Sequence, residues 1–133
     1  MSTAAKKEIK KRIERIEEAY EYMLAYAAQG LSGDEESASV TQIREELEGM
    51  EQAMEGLVDT IGAAAKAGGL QPPAGVQAFI GVVERDTANS QAAVKLVLGQ
   101  SNISSQLVDN LNALIHLRAL LTDLFLLDEL LAG

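Results

Sequence analysis

The sequence contains no cysteine and no tryptophan, and it has a single histidine. The lack of cysteine excludes a disulfide framework, thiolate metal ligands and a cysteine nucleophile, and it fits a reducing, cytoplasmic compartment. Aromatic residues make up only 4% of the chain, so the core must be built from Ile, Leu, Val, Met and Ala. A chain of 133 residues can bury such a core without metals or disulfides. We therefore predict one domain that spans residues 1–133.

We also find no long apolar run and no pattern of a leader segment in the sequence. A membrane-spanning helix needs roughly 20 consecutive apolar residues, and the leucine-rich run at residues 124–127 is flanked by acidic residues on both sides. Residues 1–11 are charged and lack the apolar stretch of a signal peptide. From these absences we expect no transmembrane segment and a cytoplasmic location.

The net charge of −9 is unevenly distributed. Residues 1–15 contain six of the eleven basic residues, whereas residues 16–59 contain twelve acidic residues and only Arg44 as a base. An acidic chain repels a phosphate backbone, so we expect no nucleic-acid partner. The basic first turns either touch an anionic surface or form a solvated helix end in which Glu8 and Glu14 are interleaved.

Apolar residues recur at alternating spacings of four and three, which is the pattern of an amphipathic helix. The first segment shows it at Ile9, Ile13, Ile16, Tyr20, Met23 and Ala27. Glycines and the Pro72–Pro73 pair separate the segments. The sequence predicts four helices at about residues 4–29, 40–67, 73–98 and 102–131. Because the connections are short and no strand pattern is present, we expect an all-α, up-down-up-down antiparallel four-helix bundle.

The fourth predicted helix is apolar around nearly its whole circumference. Such a helix is normally buried on all sides, although a helix of a four-helix monomer has an outer face. We therefore expect a homodimer that forms through this helix, or else a sticky helix end or a central helix. The predicted interface residues are Leu120, Leu124, Leu127, Leu130 and Leu131, together with Tyr22 and Tyr26 on the first helix. The alternative for the two tyrosines is that they seal the edge of the core.

Polar residues interrupt two of the apolar stripes. Arg118 lies within the stripe of the fourth predicted helix, and Thr87 and Ser90 lie within that of the third. If these helices are antiparallel, Glu84 or Asp86 can reach Arg118. The pattern indicates either a polar pocket that binds a ligand or an arginine whose stem covers apolar surface while its head reaches water.

The second predicted helix carries a stripe of small residues beside its apolar seam. The stripe consists of Gly49, Ala53, Gly56, Thr60, Ala63 and Ala67. Glycine within a helix costs about 1 kcal/mol relative to alanine. The stripe therefore indicates close packing against another helix, or a locally weak helix.

His116 is the only histidine, and it shares a polar strip with Asp109, Asn112 and Asp123. An exposed histidine on a helical bundle is the phosphoacceptor of histidine phosphotransfer domains. The local sequence His-Leu-Arg-Ala-Leu-Leu-Thr lacks the residues that usually follow such a histidine. Phosphotransfer through His116 is therefore an alternative hypothesis.

Catalytic and cofactor-binding patterns are missing from the sequence. A single histidine without cysteine does not supply a di-iron, zinc or triad site, and there is no Gly-rich phosphate loop. We expect no catalytic residue, cofactor or metal. The leading prediction is a non-enzymatic adaptor, accessory or regulatory subunit that binds another protein. Histidine phosphotransfer and small-molecule sensing are the alternatives.

Overall fold

The computed structural model describes residues 3–67 and 70–132. Helices account for 81% of these residues, which contain no strand, so the all-α prediction is confirmed. The helices of the described residues are α1 (Thr3–Ala27), α2 (Ala38–Met54), α3 (Leu57–Lys66), α4 (Pro73–Leu98), α5 (Ser105–Asn112) and α6 (Ile115–Ala132). The continuous helices expected at 40–67 and 102–131 are each divided into two.

The division between α2 and α3 is made by Gly56. This residue has a φ of +79°, in the left-handed region where a helix cannot continue. The Arg12 guanidinium of α1 donates from Nη1 to the carbonyl oxygens of Gln52, Ala53 and Glu55, at 3.3, 3.2 and 2.6 Å. Two of these carbonyls lie in the last turn of α2 and the third belongs to Glu55, the residue that follows it, where helical partners run out. An arginine from the neighbouring helix therefore caps α2.

The small residues of α2 make room for the arginines of α1. A Cβ atom at Gly49 would overlap the Arg15 guanidinium. Arg15 passes over this glycine to reach Glu46, with 2.8 Å between Nη1 and Oε1. The close packing that the stripe indicated is therefore a contact with α1 at Gly49.

The division between α5 and α6 follows from the positions of their apolar residues. Val108 and Leu111 of α5 are buried, as are Leu117, Leu120 and Leu124 of α6. At 3.6 residues per turn, these two sets would lie on opposite sides of one continuous helix. The turn at residues 113–114 rotates α6 so that both sets face the core.

Each of α1 and α4 packs against α2, α3, α5 and α6. Arg12 near the start of α1 contacts the end of α2, and the Tyr22 hydroxyl donates to the carbonyl of Ser39 at the start of α2, at 3.2 Å. These two contacts show that α1 and α2 run in opposite directions. The core between the helices is aliphatic, with buried Ile, Leu, Val, Met and Ala residues, and Tyr26 is its only aromatic residue among those described.

A hydrogen-bond network joins the loop after α1 to the loop before α5. The Tyr26 hydroxyl donates to the carbonyl of Ile103 at 2.7 Å, and the Ser105 hydroxyl donates to the carbonyl of Tyr26 at 2.6 Å. The backbone N–H of Leu31 donates to Ser105 Oγ at 2.9 Å, and that of Ser105 donates to the carbonyl of Leu31 at 2.8 Å. Gly33 is buried against the backbone of Ile103. We call these five residues the loop network.

Candidate functional site

The leucines predicted to form an intermolecular face lie mostly inside the chain. Leu120, Leu124, Leu127 and Leu131 are at most 4% exposed. Within the single chain these four side chains are covered, because α6 packs between α1 and α4 and buries a broad face against both. Of the five predicted leucines, only Leu130 is accessible, at 51%.

The two tyrosines are also integral to the fold. Tyr26 is fully buried, and burial, followed by the charge of Glu35, raises the pKa of its phenol. The half-buried Tyr22 ring stacks on Tyr26, with 6.4 Å between the ring centroids. Tyr26 is therefore covered within the single chain and not presented on its surface. Tyr26 lies in the core and Tyr22 packs against the edge of the core, which is the arrangement that the alternative interpretation described.

The structure brings together only part of the predicted polar pocket. Glu84 and Thr87 line one cavity of about 190 Å³ between α3 and α4, and Arg118 is not part of its lining. Arg118 and Glu84 are exposed, whereas Thr87 and Ser90 are buried. Among the described residues, the hydroxyl oxygens of Thr87 and Ser90 have no hydrogen-bond partner. Arg118 is directed to water, as the alternative interpretation stated, because the turn before α6 places it on the outer side.

Asp86 faces an acidic partner instead of Arg118. Burial, followed by the hydrogen bond and negative charge of Asp86, raises the pKa of Asp123 from its ordinary value to about 7. The sequence pattern grouped Asp123 with His116 in one polar strip. Asp123 contacts Asp86 of α4 because α6 is rotated about its own axis. The spacing of apolar residues did not predict this rotation.

We predict that Asp123→Asn stabilises the protein at pH 8 more than at pH 5. The unfolded chain releases the Asp123 proton near pH 4, and the folded chain keeps it to about pH 7. Folding stability therefore falls as pH rises between these values. Urea unfolding should show a gain of about 1 kcal/mol at pH 8 and about a third of that gain at pH 5. The exposed Asp109→Asn serves as the control, and equal gains at both pH values for Asp123→Asn contradict the prediction.

His116 lies exposed in the first turn of α6. It has no side-chain hydrogen bond or ion pair within the described part of the chain. A phosphodonor has access to the imidazole, but no described neighbour orients it.

An apolar groove lies where α3, α4 and α6 meet. Its volume is about 300 Å³. Its floor is buried, and its rim includes Leu126 and Leu130, which are 53% and 51% exposed. The lining residues are Ile61, Leu70, Gln71, Pro72, Gly75, Val76, Phe79, Leu126, Leu127 and Leu130. We refer to this feature as the α6 groove.

Charge is unevenly distributed over the surfaces of α4 and α6. Residues 73–83 of α4 contain no charged side chain, whereas Asp128 and Glu129 are exposed on α6. Burial, followed by the charges of Asp128, Glu21 and Glu14, raises the pKa of Glu17 on α1. Negative charge therefore accumulates where α6 meets α1.

Among the described residues, no group of three or more His, Asp and Glu side chains is placed to hold a metal ion. None of the helices there combines the length and the hydropathy that crossing a bilayer requires. Comparison of the sequence with protein-family models, curated proteins and solved structures finds no match. The described residues form an all-helical structure with an apolar groove beside α6.

Proposed function

We propose that this chain is a non-enzymatic, cytoplasmic protein that binds another protein through the α6 groove, as an adaptor, accessory or regulatory subunit. We also propose that its fold is an up-down-up-down four-helix bundle whose arms are α1, α2 with α3, α4, and α5 with α6. The observation that supports binding is the half-exposure of Leu126 and Leu130 above a buried apolar floor. Contiguous apolar surface of this kind marks sites of interaction.

The composition of the groove favours a protein over a small molecule. Small-molecule sites combine apolar walls with several convergent polar groups that fix the ligand. In the α6 groove, Gln71 is the only lining residue with a polar side chain. The apolar side chains of a protein partner need only apolar contacts, and the lining of the groove provides these. Homodimerisation, expected from the sequence, is the arrangement in which a second copy occupies the same groove.

We predict that the double substitution Leu126→Gln and Leu130→Gln abolishes partner capture while the protein stays folded. Both side chains are only half-buried, so the cost in unfolding free energy should be about 1 kcal/mol per site. Cross-linking in cells of the native host, followed by affinity purification and mass spectrometry, measures capture. Circular dichroism checks the fold.

The matched control is Leu96→Gln, because Leu96 is 69% exposed on α4 and does not line the groove. It should leave capture intact. Partners that remain bound to the double variant, or are lost equally with the control, count against the proposal. Light scattering of the wild type and the double variant distinguishes a second copy from a different partner.

Phosphotransfer is a second candidate function, favoured by the exposure of His116. Incubation with a small phosphodonor tests it. Acid-labile phosphate on the wild type but not on His116→Gln supports the candidate, and an unlabelled wild type rejects it.

A further inference from the structure

A cavity lined by basic side chains lies between α1 and α2. Its volume is about 240 Å³, several times the roughly 30 Å³ that one water molecule occupies. The lining residues are Glu8, Lys11, Arg12, Arg15, Gly49, Gln52 and Ala53. Three of them are basic and one is acidic, in a chain whose net charge is −9. We call this feature the basic cavity.

Positive charge is concentrated around the basic cavity. Residues 1–15 contain six basic and two acidic residues, which gives this stretch a net charge of +4. Lys7 precedes Lys11 by one helical turn, so these two residues are neighbours on α1. A local positive field attracts anions even when the rest of the protein is negative. The basic first turns of α1 therefore border a space in which an anion can be held.

Arg15 is held in position by only part of its guanidinium group. A guanidinium has five N–H donors, and Arg15 Nη1 donates to Glu46 Oε1 at 2.8 Å. Among the described residues, the Nε and Nη2 atoms of Arg15 have no acceptor. The salt bridge with Glu46 therefore orients the guanidinium and leaves at least three of its donors available.

The other charges of the lining are distributed so that Lys11 is not neutralised. Glu8 Oε1 lies 3.1 Å from Arg12 Nε, so the acidic residue of the lining is opposed by Arg12. Arg12 also donates through Nη1 to carbonyls at the end of α2. Lys11 is exposed and has no hydrogen bond or salt bridge within the described part of the chain. Its ammonium group is therefore available to a ligand in the cavity.

Gly49 of α2 makes space for this arrangement. The Arg15 guanidinium lies over Gly49, at a position that a Cβ atom on this residue would overlap. Both residues line the cavity. Glycine within a helix is unfavourable relative to alanine, and the position of the guanidinium accounts for its presence here.

The chemistry of the free donors selects the anion. The planar fork of arginine matches the oxygens of a phosphate group, and lysine adds a compact positive charge. Lys11 and Arg15 are four residues apart on α1, so their side chains start from neighbouring positions and can contact adjoining groups of one ligand. We propose that the basic cavity binds the phosphoryl groups of a diphosphate or of a larger phosphorylated molecule, with Lys11 and Arg15 as the donors.

Calorimetric titration of the full chain with inorganic diphosphate, in a buffer free of phosphate, tests the proposal. We expect saturable binding with a dissociation constant below about 1 mM, which weakens as NaCl is raised. Lys11→Gln and Arg15→Gln should each weaken binding at least fivefold. Lys66→Gln on α3 is the control for charge, because Lys66 is exposed and does not line the cavity, and its effect should be below twofold.

Gly49→Ala tests the geometry without any change of charge. The added Cβ displaces the Arg15 guanidinium, so we expect diphosphate to bind at least threefold more weakly while circular dichroism shows an intact fold. Gly62→Ala on α3 is the control, because nothing lies within 4 Å of a Cβ at that position. The proposal is overturned if diphosphate does not bind saturably, if Lys11→Gln and Lys66→Gln cause equal losses, or if Gly49→Ala binds as the wild type does.

Cosedimentation with vesicles of phosphatidylcholine and phosphatidic acid distinguishes two sources of the phosphoryl group. Vesicle binding that diphosphate displaces and that Lys11→Gln weakens supports the proposal, with a lipid headgroup as the ligand. Diphosphate binding without vesicle binding supports it with a soluble ligand. Vesicle binding that Lys11→Gln and Arg15→Gln leave unchanged, in a chain that does not bind diphosphate, rejects the basic cavity as the site.

Discussion

Gly33→Ala is expected to lower the free energy of unfolding by about 4 kcal/mol. Gly33 has a φ of +96°, where a side chain strains the backbone. An added Cβ would also lie 2.7 Å from the carbonyl carbon and oxygen of Ile103. These are backbone atoms fixed by the loop network, so they cannot move aside as a flexible side chain can. Urea denaturation followed by circular dichroism measures the loss.

Gly30→Ala separates the two causes. Gly30 has a φ of +68°, and nothing lies within 4 Å of an added Cβ. Only the conformational cost applies there, and it should be about 1 kcal/mol. Equal losses at Gly30 and Gly33 would show that the contact with Ile103 has no energetic weight.

Ser105→Ala is expected to cost about 2–3 kcal/mol. The Ser105 hydroxyl accepts from the N–H of Leu31 and donates to the carbonyl of Tyr26. The Tyr26 carbonyl keeps a second donor, the N–H of Gln29 at 3.1 Å. The loss therefore falls mainly on the Leu31 N–H, which has no other acceptor among the described residues once the hydroxyl is removed.

Two comparisons test this assignment. Ser101→Ala, at an exposed serine in the same loop, should change stability by less than about 0.5 kcal/mol. Tyr26→Phe removes the bond to Ile103, and the double variant with Ser105→Ala should show coupling, because both residues belong to one network. Strict additivity would mean that the two hydroxyls act independently.

Periodicity was sufficient to predict helices and much of the core. Ile9, Ile13 and Ile16 follow the spacing of four and three, and all are buried. The pattern did not reveal that Gly56 would adopt a left-handed conformation, because glycine within a helical pattern is often tolerated. It also did not reveal the turn at residues 113–114, where neither glycine nor proline marks the break.

The unmarked turn also explains why the exposure of side chains on α6 differs from the expectation. The buried face of α6 depends on the rotation of this helix about its own axis. That rotation is set by the turn at residues 113–114, which no glycine or proline marks in the sequence. Leucines expected outside therefore lie inside, and Arg118 lies outside. The α6 groove was beyond prediction for a second reason, because it joins Ile61, Val76 and Leu130 from three separate stretches of the chain.

The loop network lies at one end of the molecule, and the α6 groove lies towards the other. At the first end, side-chain hydrogen bonds tie neighbouring segments together. Around the groove, within the described residues, the walls from α3, the start of α4 and the end of α6 touch through hydrocarbon alone. Dispersion contacts adjust to small displacements more readily than directional bonds do. One end is therefore held by directional bonds and the other by dispersion contacts, so a small displacement of the groove walls breaks no polar bond between the described residues.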